Sequence, residues 1–378
     1  MNTHLRMPDL PQDILTYIVE VISDPRTQWT LLTASRHISS VVLMSMYQDI
    51  SIDSGESDES MGHLTEYIIT LHKLTHSASS NPNLHRTKSF SFCCFHRHEV
   101  QDRFAQALLP QVTNLQRLAI NCPHIDSQTL SFLPRGVRLT HLILDTITYS
   151  NHFIRFLETQ PELRLLAVSM FQEPPLTGST EQSLSPAIPL SRTALPQLRS
   201  LKCPTRVIPQ FGNRPAIVDL TFTCNTWSER YKPFPVEVKA DMGCFRSVCS
   251  VYILNSLDFQ GITSVIRELP NLEYFGMHTS MVKLPLPWHL LGTTPLKYVQ
   301  FGDILRLECA AEMAADVFSS IPSVGVVDVY QDGYGLRRSF QRFCRHAPMG
   351  ISVQICRTQW QTWWEPVARE IHDMCADH

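Results

Sequence analysis

LQRLAI, at residues 115–120, is the clearest copy of a pattern that recurs along the chain. Its first, fourth and sixth residues are apolar, and the same spacing returns as LTHLIL at residues 139–144 and LRLLAV at residues 163–168. Further copies occur at Leu198/Leu201/Cys203, Ile217/Leu220/Phe222, Val248/Val251/Ile253, Leu272/Phe275/Met277, Leu296/Val299/Phe301 and Val324/Val327/Val329. Apolar alternation at the end of each copy predicts a β-strand. Because the copies recur at a regular period, they predict a repeat architecture.

Helical patterns separate the predicted strands. Apolar residues recur at three- and four-residue steps in five intervals, at residues 99–109, 151–160, 259–269, 308–321 and 336–346. One strand and one helix per unit predict an α/β fold in which each unit covers its apolar side against its neighbours. The commonest interval, 24 residues, lies in the range of leucine-rich repeats. We therefore expect residues 84–358 to form an open right-handed leucine-rich-repeat-like solenoid with parallel strands and helices on its convex side.

The residues between the apolar positions are mostly polar, which predicts that one face of the sheet meets solvent. Tyrosine and arginine often anchor protein interfaces. The alternative is a solvated face without a partner, because cross-strand aromatic pairs also stabilise sheets. We predict that a protein substrate binds through Arg117, His141, Lys202, Tyr252, Tyr274, His278, Tyr298, Gln300 and Tyr330.

Residues 10–52 begin with a leucine-proline pair and an amphipathic helix. Pro11 suits the first turn of a helix, and SDP at residues 23–25 ends the first helix and starts the next. Leu15 and Val19 form a second apolar strip that so short a segment cannot cover by itself. We therefore expect another surface to cover this helix. Its main apolar face consists of Ile14, Tyr17, Ile18, Val21 and Ile22.

This stretch resembles the F-box of fungal F-box-like proteins, in which a leucine-proline opening precedes three short helices. The residues that carry the resemblance are Leu10, Pro11, Asp13, Ile14, Leu15, Ile18, Asp24, Pro25, Thr27, Leu31, Ser35, Arg36, Met46, Tyr47, Ile50 and Ile52. The resemblance implies that residues 8–52 bind a Skp-type adaptor, which links the chain to a cullin and to ubiquitin transfer. The implied adaptor-binding residues are Leu10, Pro11, Ile14, Leu15, Ile18, Leu31, Ser35 and Arg36. The alternative is that these helices only cap the repeat array.

Two other segments complete the predicted organisation. Residues 53–83 contain an acidic, serine-rich linker followed by a helical pattern. Residues 359–378 contain Trp360, Trp363, Trp364, Val367 and Ile371 at helical spacing. Because a repeat array has an open apolar end, this segment is expected to be a capping helix, and a partner-binding helix is the other interpretation.

Composition restricts the partners and the compartment. The chain has 378 residues and a net charge of −3, with no block of basic residues, which argues against nucleic acid. No apolar run is long enough to cross a membrane, and the first residues lack a secretion signal. Eleven cysteines include no CxxC pair, which is typical of a reducing compartment. We expect a cytoplasmic or nuclear protein.

No pattern in the sequence predicts catalysis or a cofactor. Cys93, Cys94, His96 and His98 form the densest set of metal-binding residue types, but no second ligand pair follows at a zinc-site spacing. Phosphate-binding glycine loops are absent from the sequence. An enzyme on a closed barrel is the least favoured interpretation, because barrel strands are apolar on both faces.

The leading hypothesis is a non-catalytic substrate receptor of a Skp-cullin-F-box ubiquitin ligase. The N-terminal helices bind the adaptor, and the repeats bind an unidentified protein substrate. A repeat scaffold with no role in ubiquitin transfer is the main alternative.

Overall fold

A computed structural model gives the fold of the chain. The chain divides into two compact units, Met1–Gln160 and Pro161–His378. The structure describes residues 17, 27, 30–31, 36–53, 81, 83–93, 99–122, 127–172, 190–204, 207–208, 211, 214, 216–223, 245–253, 266, 268–278, 288–292, 294–302, 310–331, 337–345 and 347–356.

The first unit contains a parallel sheet whose strand order follows the chain, β1-β2-β3-β4. Short 3-10 helices at Leu84–Arg86, Leu109–Gln111 and Ser127–Phe132 join its elements. Its helices and strands are α1 (Arg36–Gln48), β1 (Asp49–Asp53), β2 (Ser89–Cys93), α2 (Glu99–Leu108), β3 (Arg117–Asn121), β4 (His141–Thr148) and α3 (Asn151–Glu158).

The second unit also has its strands in chain order, but its last two strands run antiparallel to their neighbours. Its described elements are β5 (Leu165–Gln172), β6 (Ser200–Pro204), β7 (Asp219–Thr223), β8 (Ser250–Ile253), β9 (Tyr274–His278), the 3-10 helix Trp288–Leu291, β10 (Tyr298–Gly302), α4 (Ala310–Ser320), β11 (Val326–Gln331), β12 (Arg337–Cys344) and β13 (Ala347–Cys356). The predicted α/β class is confirmed. Among the described residues each sheet is an open row of strands, not the closed ring that a barrel requires.

The apolar triplets found in the sequence lie on one face of each sheet, here called the triplet face. All nine triplets consist entirely of buried residues. Parallel pairing keeps them in line, since Leu118 lies beside both Phe90 and Leu142 on neighbouring strands. Trp288 packs edge-on against Phe301 from the same side, with ring centroids 5.6 Å apart. The triplets therefore form the core, as the sequence predicts.

A repeated main-chain arrangement, here called the carbonyl ladder, joins the starts of successive strands. The carbonyl oxygen of Lys88 accepts hydrogen bonds from the N–H groups of both Gln116 and Arg117, and the carbonyl of Gln116 accepts from Thr140 and His141. The carbonyls of Arg164, Arg199, Val218, Cys249, Glu273 and Lys297 each accept two N–H groups from the next strand in the same way. The ladder fixes the register at which the triplets meet.

Polar side chains that immediately precede the triplets provide a second link between neighbouring repeats. Asn114 Nδ2 donates to the carbonyl of His85 at 2.6 Å, and Asn271 Nδ2 donates to that of Arg246 at 2.8 Å. Ser323 Oγ donates to the carbonyl of Thr294 at 3.1 Å. The sequence analysis did not identify this position, which immediately precedes the first apolar residue of each triplet.

The part of the chain that the structure describes contains three of the five helices that the sequence predicts between the strands. The predicted helices at residues 99–109, 151–160 and 308–321 are confirmed as α2, α3 and α4. Ser150 caps α3 because its hydroxyl accepts a hydrogen bond from the N–H of Phe153. The predicted helix at residues 259–269 lies mostly outside the described residues, as does the capping helix at residues 359–378.

The helix predicted at residues 336–346 is wrong. This segment is β12, which pairs antiparallel with β11 and places Phe343 beside Val327. Phe340 and Phe343 have helical spacing, but the exposed edge of β11 offers main-chain hydrogen bonds that only an extended segment can make. The prediction of parallel strands throughout residues 84–358 therefore fails at β12 and β13.

Residues 49–53, at the end of the stretch that resembles an F-box, form a strand that was not predicted from the sequence. α1 leads directly into β1, and Asp49 to Asp53 pair in register with Ser89 to Cys93. Val41 and Val42 of α1 are buried, with Leu31, Ile38 and Met46 packed against them. Residues 36–53 are therefore part of the fold of the first unit.

Candidate functional site

The face of each sheet turned away from the triplets, here called the opposite face, carries the predicted substrate-binding residues. In the first unit this face is accessible to solvent. Arg117 and Asp49 are exposed, and Ser89 and His141 are half-buried. Strand pairing places these four residues in one row across β1 to β4, in the order Asp49, Ser89, Arg117, His141.

Three of the four residues in the floor of this face have small side chains. A second row contains Ser51, Ser91, Ala119 and Ile143, and none of these residues is buried. Because serine and alanine extend only a short way from the main chain, the charged groups of the first row stand above their surroundings. The first unit therefore presents an open, shallow surface with charged groups at the starts of its strands.

The opposite face of the second unit is buried, which corrects the prediction of a solvent-exposed face. Tyr298 is 4% exposed and Gln300 is 1% exposed, and Tyr252 and Tyr274 are also buried. The rings of Tyr274 and Tyr298 lie 6.2 Å apart on paired strands. The alternation of polar and apolar residues predicts which side a residue faces, but it does not predict whether that side meets water.

Asp328 lies at the centre of this buried face and is 0% exposed. Arg342 on β12 donates from Nε to Oδ1 at 2.8 Å and from Nη2 to Oδ2 at 2.6 Å. The hydroxyl of Tyr298 donates to Oδ2 at 2.9 Å. Three strands, β10, β11 and β12, are thus joined by one ion pair and its hydrogen bonds.

The protonation of Asp328 reflects opposing influences. Burial is the largest influence and raises the pKa of this carboxyl, because a charge is costly away from water. The hydrogen bonds and positive charge of Arg342, followed by the hydrogen bond from Tyr298, act to lower the same pKa. A buried carboxylate is tolerated here because both of its oxygens accept charge-assisted hydrogen bonds.

A second arginine holds the turn that follows β12. Arg345 donates to the carbonyls of Val324 at 2.8 Å and Ile321 at 2.7 Å, and its guanidinium lies 5.2 Å from the ring centroid of Phe318. Both carbonyls lie between α4 and β11, and that of Ile321 also accepts a hydrogen bond from the N–H of Val324 at 3.2 Å. Arg342 therefore attaches β12 to β11, and Arg345 attaches the turn after β12 to the segment that precedes β11.

Arg214 uses the same chemistry elsewhere in the second unit. It donates to the carbonyls of Ala194 at 3.1 Å and Ser191 at 2.8 Å, and it lies over the ring of Phe211. The turn that it binds is closed by a hydrogen bond from the N–H of Ala194 to Ser191. Buried arginine in this unit therefore satisfies main-chain carbonyls.

The remaining predicted substrate-binding residues divide between the two units. Arg117 and His141 meet as neighbours on β3 and β4. Lys202 is half-buried and lies in one row with Tyr252, Gln300 and Asp328. The side chains of His278 and Tyr330 lie outside the described residues. Sequence reasoning missed Asp328, although a single aspartate among four valines in VGVVDV is a signal of a buried charge.

Most of the predicted adaptor-binding residues lie outside the described part of the chain. These are Leu10, Pro11, Ile14, Leu15, Ile18 and Ser35. Arg36 begins α1, and Leu31 packs against the buried Val41 and Val42. From the predicted apolar helix face the structure describes Tyr17, which is 68% exposed.

The described residues provide no metal site and no membrane-spanning helix. Within those ranges no three His, Cys, Asp or Glu side chains converge as metal ligands. His96, His98 and Cys94 lie outside them. None of the helices described combines the length and apolar composition needed to cross a bilayer. Cys203 is a buried thiol, and its burial raises the pKa of that group.

Comparison with known proteins adds no assignment. The chain matches no protein-family model, and no curated protein sequence matches it.

Proposed function

We propose that this protein is the substrate-recognition subunit of a Skp-cullin-F-box ubiquitin ligase. Its N-terminal stretch binds a Skp-type adaptor through Leu10, Pro11, Ile14, Leu15, Ile18, Leu31, Ser35 and Arg36. The adaptor connects the chain to a cullin. The protein itself is non-catalytic and acts in the cytoplasm or the nucleus. The support for this assignment is the resemblance of residues 10–52 to the F-box of fungal F-box-like proteins.

We further propose that the two sheets are parts of a degenerate leucine-rich-repeat solenoid. Strands that follow chain order, triplets in register and the carbonyl ladder support this assignment. Asn114 and Asn271 support it too, because each links its strand to the preceding segment as a repeat-to-repeat contact would. A repeat array of this kind offers an extended surface for a protein partner.

The observation that favours a receptor most is the open opposite face of the first unit. Arg117, His141 and Asp49 lie there in one row and reach solvent. The corresponding face of the second unit is buried, so Tyr252, Tyr274, Tyr298 and Gln300 do not form part of the proposed substrate surface. Arg117 and His141 are retained from the predicted set.

Capture of the adaptor tests the proposal. The full-length chain is mixed with a purified Skp-type adaptor, and complex formation is measured by size-exclusion chromatography and calorimetry. We expect the wild-type chain to bind and the combined substitution of Leu10, Pro11 and Ile14 by alanine to abolish binding. The matched control replaces Arg192, Gln197 and Arg199 by alanine, which are exposed residues of the second unit. Equal behaviour of all three proteins would contradict the adaptor role.

A repeat scaffold whose N-terminal helices cap the array is the second candidate. The observation that favours it is the direct passage from α1 into β1, together with the burial of Val41 and Val42. Hydroxyl-radical footprinting of Ile14, Leu15 and Ile18 separates the two functions. Protection that appears only when the adaptor is added supports the receptor, whereas protection in the isolated chain supports the scaffold.

A further inference from the structure

We infer that the opposite face of the first unit binds an extended protein segment carrying an acidic side chain, received by Arg117 and His141. This inference rests on the proposed function, because it names the class of substrate for the same surface.

Strand pairing brings the two receiving groups together. Arg117 and His141 are register partners on β3 and β4, so their main chains lie about 4.8 Å apart. Arg117 is exposed, and the ring of His141 is oriented by a 2.9 Å contact between its Nδ1 and Thr140 Oγ1. The hydroxyl of Thr140 donates to the carbonyl of Gln116, so Nδ1 of His141 donates to Thr140 Oγ1. One carboxylate has two oxygens and therefore can accept hydrogen bonds from Arg117 and, when the imidazole ring is protonated, from Nε2 of His141.

A third basic residue lies at the same edge of the sheet. Because the strands are parallel, their amino ends share one edge, and the exposed Lys88 immediately precedes β2 there. Lys88, Arg117 and His141 thus follow one another along the starts of β2, β3 and β4. Lys88 precedes Ser89 and so alternates to the triplet side, which means that it adds positive charge at this edge without lining the opposite face.

Acidic residues limit the basic region on two sides. Asp49 lies in the same row as Arg117, two strands away on β1, and the half-buried Asp145 lies further along β4. A nucleic acid presents phosphates at every step, so these carboxylates would repel it. A peptide with one or two acidic side chains needs only the region between them, which favours protein over nucleic acid.

The floor of the surface fits an extended segment. The floor residues Ser51, Ser91 and Ala119 leave room for a main chain to approach the sheet over β1 to β3, whereas Ile143 on β4 is larger. The serine hydroxyls can donate or accept hydrogen bonds. A folded domain would contact the raised charged groups before it reached this floor.

The experiment measures binding of the full-length chain to synthetic peptides that differ only in having glutamate, glutamine or lysine at chosen positions. We expect wild-type protein to prefer the glutamate peptides by about tenfold, the effect of one hydrogen-bonded ion pair. Arg117→Ala with His141→Ala should abolish the preference, and Arg117→Glu should reverse it in favour of lysine peptides. Arg155→Ala, at an exposed position on α3, should leave the preference intact. Raising the salt concentration should weaken it.

The result that overturns the inference is an absence of preference for glutamate in the wild-type chain, or a preference that survives the double substitution. Tighter, Arg117-dependent binding of a short single-stranded RNA would overturn it as well. Reversal by Arg117→Glu is a gain of binding that misfolding cannot produce. Adaptor capture is measured on the same proteins: if it persists while the preference is absent, only the substrate class is wrong, and if it is absent, the receptor function fails.

Discussion

The two sheets share one sequence pattern and differ in what covers their opposite faces. In the first unit this face carries serine, alanine, arginine and histidine and reaches solvent. In the second unit it carries tyrosine, glutamine and aspartate and is buried from Asp219 to Asp328. The large side chains, which sequence reasoning assigned to recognition, belong to a second core. The small and charged ones remain available to a partner.

The buried ion pair provides the largest test of this contrast. Replacing Arg342 by methionine leaves the Asp328 carboxylate buried without its cation, which should lower the free energy of unfolding by about 3–5 kcal/mol. The measurement is urea denaturation followed by circular dichroism. Adding Asp328→Asn to Arg342→Met should restore part of the loss, because the uncompensated charge is then gone. A loss below that of an exposed control, Arg155→Met, would contradict the burial of this face.

The pH dependence of the same variant sharpens the test. Burial raises the pKa of Asp328, so the native state holds this proton more tightly than the unfolded chain. The stability linked to this carboxyl is therefore fully present below its unfolded pKa and is lost as the pH rises through the folded value. Because Arg342 lowers this pKa, its removal raises the value further. The cost of Arg342→Met should thus shrink as the pH falls toward about 4, the ordinary aspartate value.

Replacing a triplet leucine by alanine should lower the free energy of unfolding by a similar amount in the two units. Leu118→Ala in the first and Leu220→Ala in the second should each cost about 2–5 kcal/mol, because both leucines are buried in the same register position. Denaturation curves of the two variants check this. A cost confined to one unit would mean that the shared pattern does not produce a shared core.

Loss of a single hydroxyl gives a smaller effect. Tyr298→Phe removes a hydrogen bond to the charged Asp328 and should cost about 1.5–3 kcal/mol. The matched control is Tyr47→Phe in the first unit, where the hydroxyl accepts from the neutral Asn81 amide at 2.9 Å and is worth about 0.5–1.5 kcal/mol. Equal thermal shifts for the two variants would remove the distinction between a buried ionic site and an ordinary hydrogen bond.

The smallest stability effect is expected where binding is proposed. Arg117→Ala should change the free energy of unfolding by no more than about 0.5 kcal/mol, since the side chain is exposed. A thermal melt of this variant checks that any loss of peptide binding is local. A large drop in stability would show that Arg117 belongs to the fold rather than to an open surface.

The strands were predictable because burial on one side imposes a period that the sequence must display. Leu118, Val251 and Val327 could be assigned to a core before any coordinates were known. The helix wrongly predicted at residues 336–346 shows the limit: Phe340 and Phe343 suit a helix by spacing, and only the pairing of β12 with β11 decides against it. The local sequence pattern does not reveal that another strand offers an edge for main-chain hydrogen bonds.

The candidate site was harder to predict for a related reason. Tyr298 and Arg117 occupy equivalent positions in their repeats, yet one is buried and the other is exposed. What covers a sheet face comes from distant parts of the chain, which spacing within a strand does not reveal. Arg342 illustrates this, because its partner Asp328 lies on another strand and only antiparallel pairing brings them into register.

The carbonyl ladder has a consequence for how such a molecule changes over time. Its bonds use main-chain atoms alone, so Lys88, Gln116, Arg199 and Glu273 serve equally well there despite their unlike side chains. The ladder itself therefore places no demand on the side chains at these positions, with proline the exception at a donor, because proline lacks the N–H. The consensus sequence of a repeat can therefore be lost by drift while neighbouring strands stay hydrogen-bonded. Common ancestry then becomes undetectable in the sequence well before it is lost from the fold.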